Sequence, residues 1–289
     1  MGYPRRLQMI RHYTILLPFN NTQPTATVVD AARQMAGSQG YIEGAFCRQV
    51  LPIIAGEGIT LPGDYLAEFE EEGRQQAEAA RLKFLELLDA NDIPLGDLNA
   101  SGLRAGWTEM VGSGPEGIGE YGRLFDLVIL GRSVEDSAVD WKTTAEAVMF
   151  DSGRPLLIVG DEIPATIGRK ILLAWNGSTE TARTLTGAMS ILTDIDEVLV
   201  VTVEGAVVSG PAGEDICRHL KASGISSTAR TIDRGTGGIG QAFLEAADQF
   251  AADLIIKGAF THSRLRQLIF GGATSELIKG STVPILLSH

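Results

Sequence analysis

Only two cysteines, Cys47 and Cys217, occur in the chain, one in each half. They make no disulfide framework, and the expected setting is a reducing cytoplasm, with both thiols as packing residues. Histidine is as scarce. His12, His219, His262 and His289 form no metal-ligand spacing, so no metal site is expected. No apolar run is long enough to span a membrane. Met1–Tyr13 carries Arg5, Arg6 and Arg11 without an apolar centre, so it reads as neither secretory signal nor anchor. Positive charge is in deficit, 24 Lys and Arg against 36 Asp and Glu, for a net charge of -12. Nucleic acid and anionic membrane surfaces are thereby excluded as main partners, while a small anionic ligand in a local site is not. There is no P-loop and no G-x-S-x-G nucleophile elbow, and no residue set names a catalytic base or nucleophile.

What the chain does have is a phrase written twice. Asp126-Leu-Val-Ile-Leu-Gly131 returns as Asp253-Leu-Ile-Ile-Lys-Gly258. Each copy reads as a buried parallel strand, and each is followed by a helical stretch and an apolar run opening with proline, Pro155–Val159 and Pro284–Leu287. The starts match too, Tyr13-Thr-Ile-Leu-Leu17 against Arg169-Lys-Ile-Leu-Leu173. A duplicated unit of this size is a domain, not a solenoid repeat. The expected division is 1–162 and 163–289, with the junction at Gly160–Gly168 around Pro164.

Strand and helix patterns alternate in both halves, which predicts a parallel sheet in each. In the first half, strands are expected at Tyr13–Pro18, Tyr41–Gln49, Leu98–Ala105, Asp126–Gly131 and Pro155–Val159. Between them come helices at Gln23–Ala36, Glu68–Asn91 with Leu82, Leu85 and Leu88 inward, Gly114–Leu124 and Lys142–Asp151. The second half repeats the order. Its strands are Lys170–Trp175, Glu197–Glu204, Ser227–Asp233, Leu254–Gly258 and Val283–Leu287. Its helices are Thr179–Leu192, Ala212–Ser223, Ile239–Ala251 and Leu265–Lys279. The fold class is thus α/β, two tandem doubly wound domains, each a five-stranded mainly parallel sheet flanked by helices. The first half holds extra residues, placed at Val50–Tyr65 with its Pro52, Gly56, Gly58, Pro62 and Gly63, and read as a tolerated surface insertion, with a lid or an interface as the alternative. Proline suits the first residue of a strand or an edge. Both last strands are therefore expected at edges, and pairing them would remove both exposed edges and make a pseudo-dimer within one chain.

The second half resembles the universal stress protein family. Gly258 fills the first glycine of that family's phosphate-binding pattern, and Gly271 the third at the family spacing. Trp175-Asn-Gly-Ser178 is similar to its Asp-Gly-Ser turn. The sequence departs at Thr261, where the pattern has its second glycine, at Gly272, where it has Ser or Thr (Thr274 is nearby), and at Asn176, where it has an acid. The first half has lost the pattern, with Thr144 at the third-glycine position and Asn20-Asn21-Thr22 in the turn. The resemblance implies an adenine nucleotide hydrolase-like fold, a role in stress response, and a regulatory adenine nucleotide, ATP or else AMP or ADP. It leaves Mg unknown and allows slow hydrolysis at most. A homodimer is compatible with it.

In a doubly wound sheet the ligand sits beyond the C-terminal strand ends at the switch point, which strands one and four flank. A side chain at Gly258 is expected to collide with phosphate or ribose. Gly271-Gly272 is expected to break the segment so that a helix starts near Ala273, with free N–H groups for phosphate oxygens. His262, Ser263, Arg264 and Arg266 add donors and positive charge, and Thr274 lies beside them. From the family, Asn176 is expected near adenine or ribose and Val203 beside adenine.

Weaker signals are read as structure. Gly235–Gly240 and Gly112–Gly117 match the dinucleotide fingerprint, but the strand after the first ends in Lys257-Gly258 with no carboxylate. The rival function, favoured by Thr261 and Gly272, is a nucleotide-free interaction protein acting through its surfaces. A hydrolase-like enzyme would need an acid or base at the strand ends, which Asn176 does not supply.

Overall fold

The computed structural model describes residues 12–20, 25–50, 63–132, 141–259 and 272–289. In the first half the order is β1 (Thr14–Pro18), α1 (Ala26–Ala36), β2 (Tyr41–Gln49), α2 (Gly63–Asp89), β3 (Arg104–Gly112), α3 (Pro115–Tyr121), β4 (Leu127–Gly131), α4 (Trp141–Ala147) and β5 (Leu156–Val159). The second half runs β6 (Lys170–Ala174), α5 (Thr179–Ile191), β7 (Glu197–Val203), α6 (Gly213–Ala222), β8 (Ser226–Ile232), α7 (Gly238–Phe250), β9 (Leu254–Gly258), α8 (Gly272–Gly280) and β10 (Ile285–Ser288).

These strands form one ten-stranded sheet in the order β3-β2-β1-β4-β5-β10-β9-β6-β7-β8. Pairing is parallel within each half. At the centre β5 and β10 pair antiparallel, Ile158 against Ile285 and Leu156 against Leu287. The two proline-led strands therefore close on each other. Pro155 and Pro284 stand one residue before the strands they lead, where the missing N–H interrupts no strand, and each carbonyl still accepts, from Val128 N at 3.1 Å and Ile255 N at 3.0 Å.

Side chains alternate across the sheet, and each face carries one apolar core that runs through both halves. On one face Leu17, Leu157, Leu286, Ile256 and Leu173 lie under α1, α2, α5 and α6. On the other Leu16, Ile158, Ile285, Ile255 and Leu172 lie under α3, α4, α7 and α8.

The aspartates that open the repeated phrase are hydrogen-bond acceptors. Asp253, 7% exposed, accepts from Gly168 N and Lys170 N through Oδ1 and from Thr166 Oγ1 and Arg169 N through Oδ2. Asp126 Oδ2 accepts from Thr14 N and Thr14 Oγ1. Each carboxylate ties the start of the fourth strand of its half to the start of the first, satisfying donors that no neighbouring strand reaches.

The third strand differs from the sequence reading. It is Arg104–Gly112, not Leu98–Ala105. Residues 97–103 form turns, with Gly102 at φ +81°, where the Asp-Leu-Asn-Ala-Ser-Gly composition favours bends. The strand itself is an edge, and its half-exposed alternation hides it. Helix α2 starts at Gly63, five residues before the expected Glu68, and buries Ala77, Phe84, Leu87 and Leu88, while Leu82 is exposed. The true face is set by Phe84, whose ring meets Phe19 and Trp107 with centroids 5.6 Å away. Residues 51–62 of the Val50–Tyr65 insertion lie outside the described residues. Among the described residues no helix is long and apolar enough to cross a membrane, and no cluster of His, Cys, Asp and Glu could hold a metal.

Candidate ligand-binding site

In the second half the sheet order reverses between β6 and β9, which pair directly, Ala174 beside Lys257. The crevice beyond their C-terminal ends is the place where such sheets take ligands. One wall is the turn Trp175–Ser178. Trp175 is 3% exposed, and its Nε1 donates to Pro211 O at 2.8 Å. Gly177 adopts φ +84°, open to glycine, which lets the turn lie against the 208–210 segment. Val208 N donates to Asn176 O at 2.9 Å. Asn176 Oδ1 accepts from Ser178 N at 3.2 Å and from Thr181 Oγ1 at 2.8 Å. Ser178 caps α5, its Oγ accepting from Thr181 N at 3.2 Å. The turn is thus organised to start α5, and the side-chain oxygen of Asn176 is used in doing so.

The expected site residues fall into three groups. Asn176 and Gly258 meet through α5. A Cβ on Gly258 would press on Thr181 N and lie 2.7 Å from Glu180 C and Thr181 Cα, all backbone of the first turn. The sequence reading had that collision fall on phosphate or ribose; here it falls on the protein, because α5 seats directly on the end of β9. Val203 ends β7, 1% exposed, within the core under α7 and α8. Gly272 opens α8 at φ +56° with nothing within 4 Å of a Cβ, and Thr274 is buried one turn in. Helix α8 begins within one residue of the expected Ala273. His262, Ser263, Arg264 and Gly271, with Thr261 and Arg266, lie outside the described residues.

The sequence reading passed over Lys257. It precedes Gly258 at the end of β9, and its Nζ donates to Gly258 O at 3.0 Å. Burial pushes its ammonium down to about 8, since water no longer solvates the charge. The signal is in the duplicated phrase: the two copies differ most in polarity where one has Leu130 and the other Lys257.

The equivalent turn of the first half is closed differently. Asn20 Nδ2 donates to Cys47 O at 2.7 Å and its Oδ1 accepts from Cys47 N at 2.6 Å, so the amide bridges the ends of β1 and β2. Thr144 Oγ1 donates to Asn20 O at 2.7 Å. Beside this bridge a cavity of about 440 Å³ opens under α2, lined by Phe19, Phe46, Phe69, Gln49, Glu72 and Gln76 among others. A second, of about 430 Å³, lies at the opposite strand ends, between the C-termini of α1 and α5. It is remote from both switch points.

Comparison with known proteins gives a consistent picture. Residues 168–289 match the model of the Universal stress protein family. The universal stress protein Slr1230 of Synechocystis is 23% identical over 167 residues, 56% of this chain. The aligned part spans 57% of that relative's length. Among solved structures, a universal stress protein from Archaeoglobus fulgidus DSM 4304 superposes with a TM-score of 0.68 at 17% identity, covering 96% of both chains. A functionally unknown protein from Pseudomonas aeruginosa PAO1 gives 0.50 at 14% identity, covering 96% of this chain and 92% of its own. At such identities the structural likeness is one of fold.

Proposed function

We propose that this chain, which belongs to the universal stress protein family through residues 168–289, binds an adenine nucleotide in its second half as a regulatory ligand. ATP is the first candidate, with AMP or ADP as alternatives. The observation that carries this is the meeting of the Asn176–Ser178 turn, Gly258 and a lysine at one switch point. Val203 and the start of α8 at Gly272 and Thr274 flank the same strand ends. In this reading the chain divides into 1–162 and 163–289. The first unit, with Leu130 and the Asn20 bridge in place of a site, serves as the partner that completes the sheet. No residue is assigned a catalytic role, so turnover of bound ATP is slow at most.

One observation favours a second reading, a nucleotide-free interaction protein. Asn176 Oδ1 is already used within the α5 start, and the 208–210 segment lies on Gly177. Mass spectrometry of small molecules released on denaturing the freshly purified chain separates the two readings, together with ATP and AMP titration calorimetry. A stoichiometric adenine nucleotide, or saturable heat, supports the regulatory ligand. Absence of both overturns it in favour of the interaction protein.

A further inference from the structure

The first half leaves open a place that the second half fills. Its cavity at the ends of β1 and β2, under the first turns of α2, holds about 440 Å³ and is lined by described residues. That volume lies in the range of small-molecule sites, ~300–1,000 Å³. Ile15 pairs with Ile42 as Ile171 pairs with Val198, so Phe19 corresponds to Trp175 and Phe46 to Thr202. In the second half Trp175 Nε1 donates to Pro211 O and Val208 N donates to Asn176 O, which lays the 208–211 segment on the turn after β6. Helix α6 then starts directly over β7, where a Cβ on Gly213 would lie 3.3 Å from Val200 and 3.7 Å from Thr202. Helix α2 has 27 residues against 10 in α6, and its first buried residue is Ala77. The turns before Ala77 overhang the end of β2, and Phe69, Glu72, Gly73 and Gln76 from those turns line the cavity.

The lining is chemically one-sided. Three of its residues are phenylalanines. Phe19 and Phe46 are 6% and 8% exposed, and Phe69 is half-buried. The Phe19 ring is held by Phe84 and Trp107, with centroids 5.6 and 5.2 Å away. The one cation, Arg48, is already spent. Its Nε donates to Glu109 Oε1, and its stem lies along Gly73. The Asn20 amide is spent as well, on the backbone of Cys47. Glu72 has neither an ion pair nor a hydrogen bond among the described residues. The field at the wall has the same sign: burial pushes the Cys47 thiol up, and the carboxylates of Glu116 and Glu120 push it the same way. An anion in this cavity would face an uncompensated carboxylate, and a neutral apolar molecule would leave that carboxylate unused. An organic cation meets both features, its charge with Glu72 and its body with the aromatic rings.

We propose that this cavity is a second ligand site, for a small organic cation with an apolar body, of the substituted-ammonium class. Glu72 supplies the counter-charge and Phe69 an aromatic contact. The site belongs to the first half alone, because the overhang of α2 that builds it has no counterpart in α6. It does not depend on a nucleotide in the second half.

The test is calorimetry on the full chain with three probes of one aromatic body and different charge: benzyltrimethylammonium, benzyl alcohol and benzoate. The parent is compared with Glu72→Gln and Phe69→Ala. Both positions precede the first buried residue of α2, and urea melts establish that each variant is folded. The expected result is saturable heat with benzyltrimethylammonium, weaker binding of benzyl alcohol and none of benzoate. Glu72→Gln weakens the cation at least ~fivefold and leaves benzyl alcohol unchanged, while Phe69→Ala weakens both. A merely structural Glu72 would shift the two together, and that outcome overturns its role as counter-charge. Equal affinity for the cation in the parent and Glu72→Gln overturns it too, and so does benzoate binding as tightly as the cation. No saturable heat with any of the three overturns the site itself.

Discussion

The partly desolvated ammonium of Lys257, bonded to one carbonyl, works against the folded state at neutral pH. Folding lowers the titration of Lys257 from 10.5 to about 8. Below pH 8 both states are protonated and the desolvation cost is complete. Between about 8 and 10.5 the unfolded chain still holds the proton and the folded chain does not, so this group adds stability as pH rises. The full effect is on the order of 2–3 kcal/mol, less whatever water at the strand ends screens. Lys257→Leu, which writes the first half's residue into the second, is expected to raise the urea midpoint at pH 7. The gap to the parent then closes by pH 10.5. A variant less stable than the parent at pH 7 would mean the ammonium is satisfied in the fold. Asp253 is the opposite case. Its two oxygens accept four hydrogen bonds, so Asp253→Ala leaves four donors, the buried N–H of Gly168 among them, without their acceptor and is expected to cost about 2–3 kcal/mol. The pH 7 urea midpoint measures it. A loss within about 0.5 kcal/mol would show that water replaces the carboxylate.

The seating of α5 on the end of β9 is a property of two elements together. Gly258 has no room for a side chain because the backbone of Glu180 and Thr181 occupies that space. Gly258→Ala is therefore expected to push the α5 start off the sheet, breaking the Ser178 cap and the Thr181–Asn176 bond with it. The loss is about 1–3 kcal/mol from overpacking, before any ligand is added. Thermal melts of the unliganded variant read it. An unchanged melting temperature would return Gly258 to the role the sequence suggested, clearance for a ligand. That role was inferred from position alone, and sequence cannot say which neighbour fills the space beside a glycine. Helix α2 has the same lesson. Leu82, Leu85 and Leu88 have helical spacing, and Leu88 does reach the core, but Leu82 is exposed and Phe84 takes the face beside Phe19 and Trp107. β3 was missed for the reason edge strands usually are: one ladder, half-exposed alternation and few branched residues.

At the scale of the molecule, much was legible. Two copies of one phrase showed that the chain is two α/β units, and two prolines pointed to the β5–β10 seam, because a proline-led strand beside another removes two edges at once. The chemistry at the site was less so, since Lys257 is unusual only against its counterpart Leu130. What the seam does energetically follows from its core. Leu157 and Leu286 are opposed in register, both 0% exposed, and belong to the same core as Leu17 and Leu173. Each half thus lends the other a wall, and the chain is expected to unfold as one cooperative unit. Tryptophan can report it: Trp107 packs in the first half and Trp175 in the second. With the other tryptophans replaced by Phe, the two reporters should show coincident urea midpoints. Leu286→Asp buries a charge in the seam, at a cost of about 4 kcal/mol or more, and should lower both midpoints together. If the Trp107 midpoint held while the Trp175 midpoint fell, the halves would be independent folding units that merely touch, and the sheet's continuity would contribute nothing to the first.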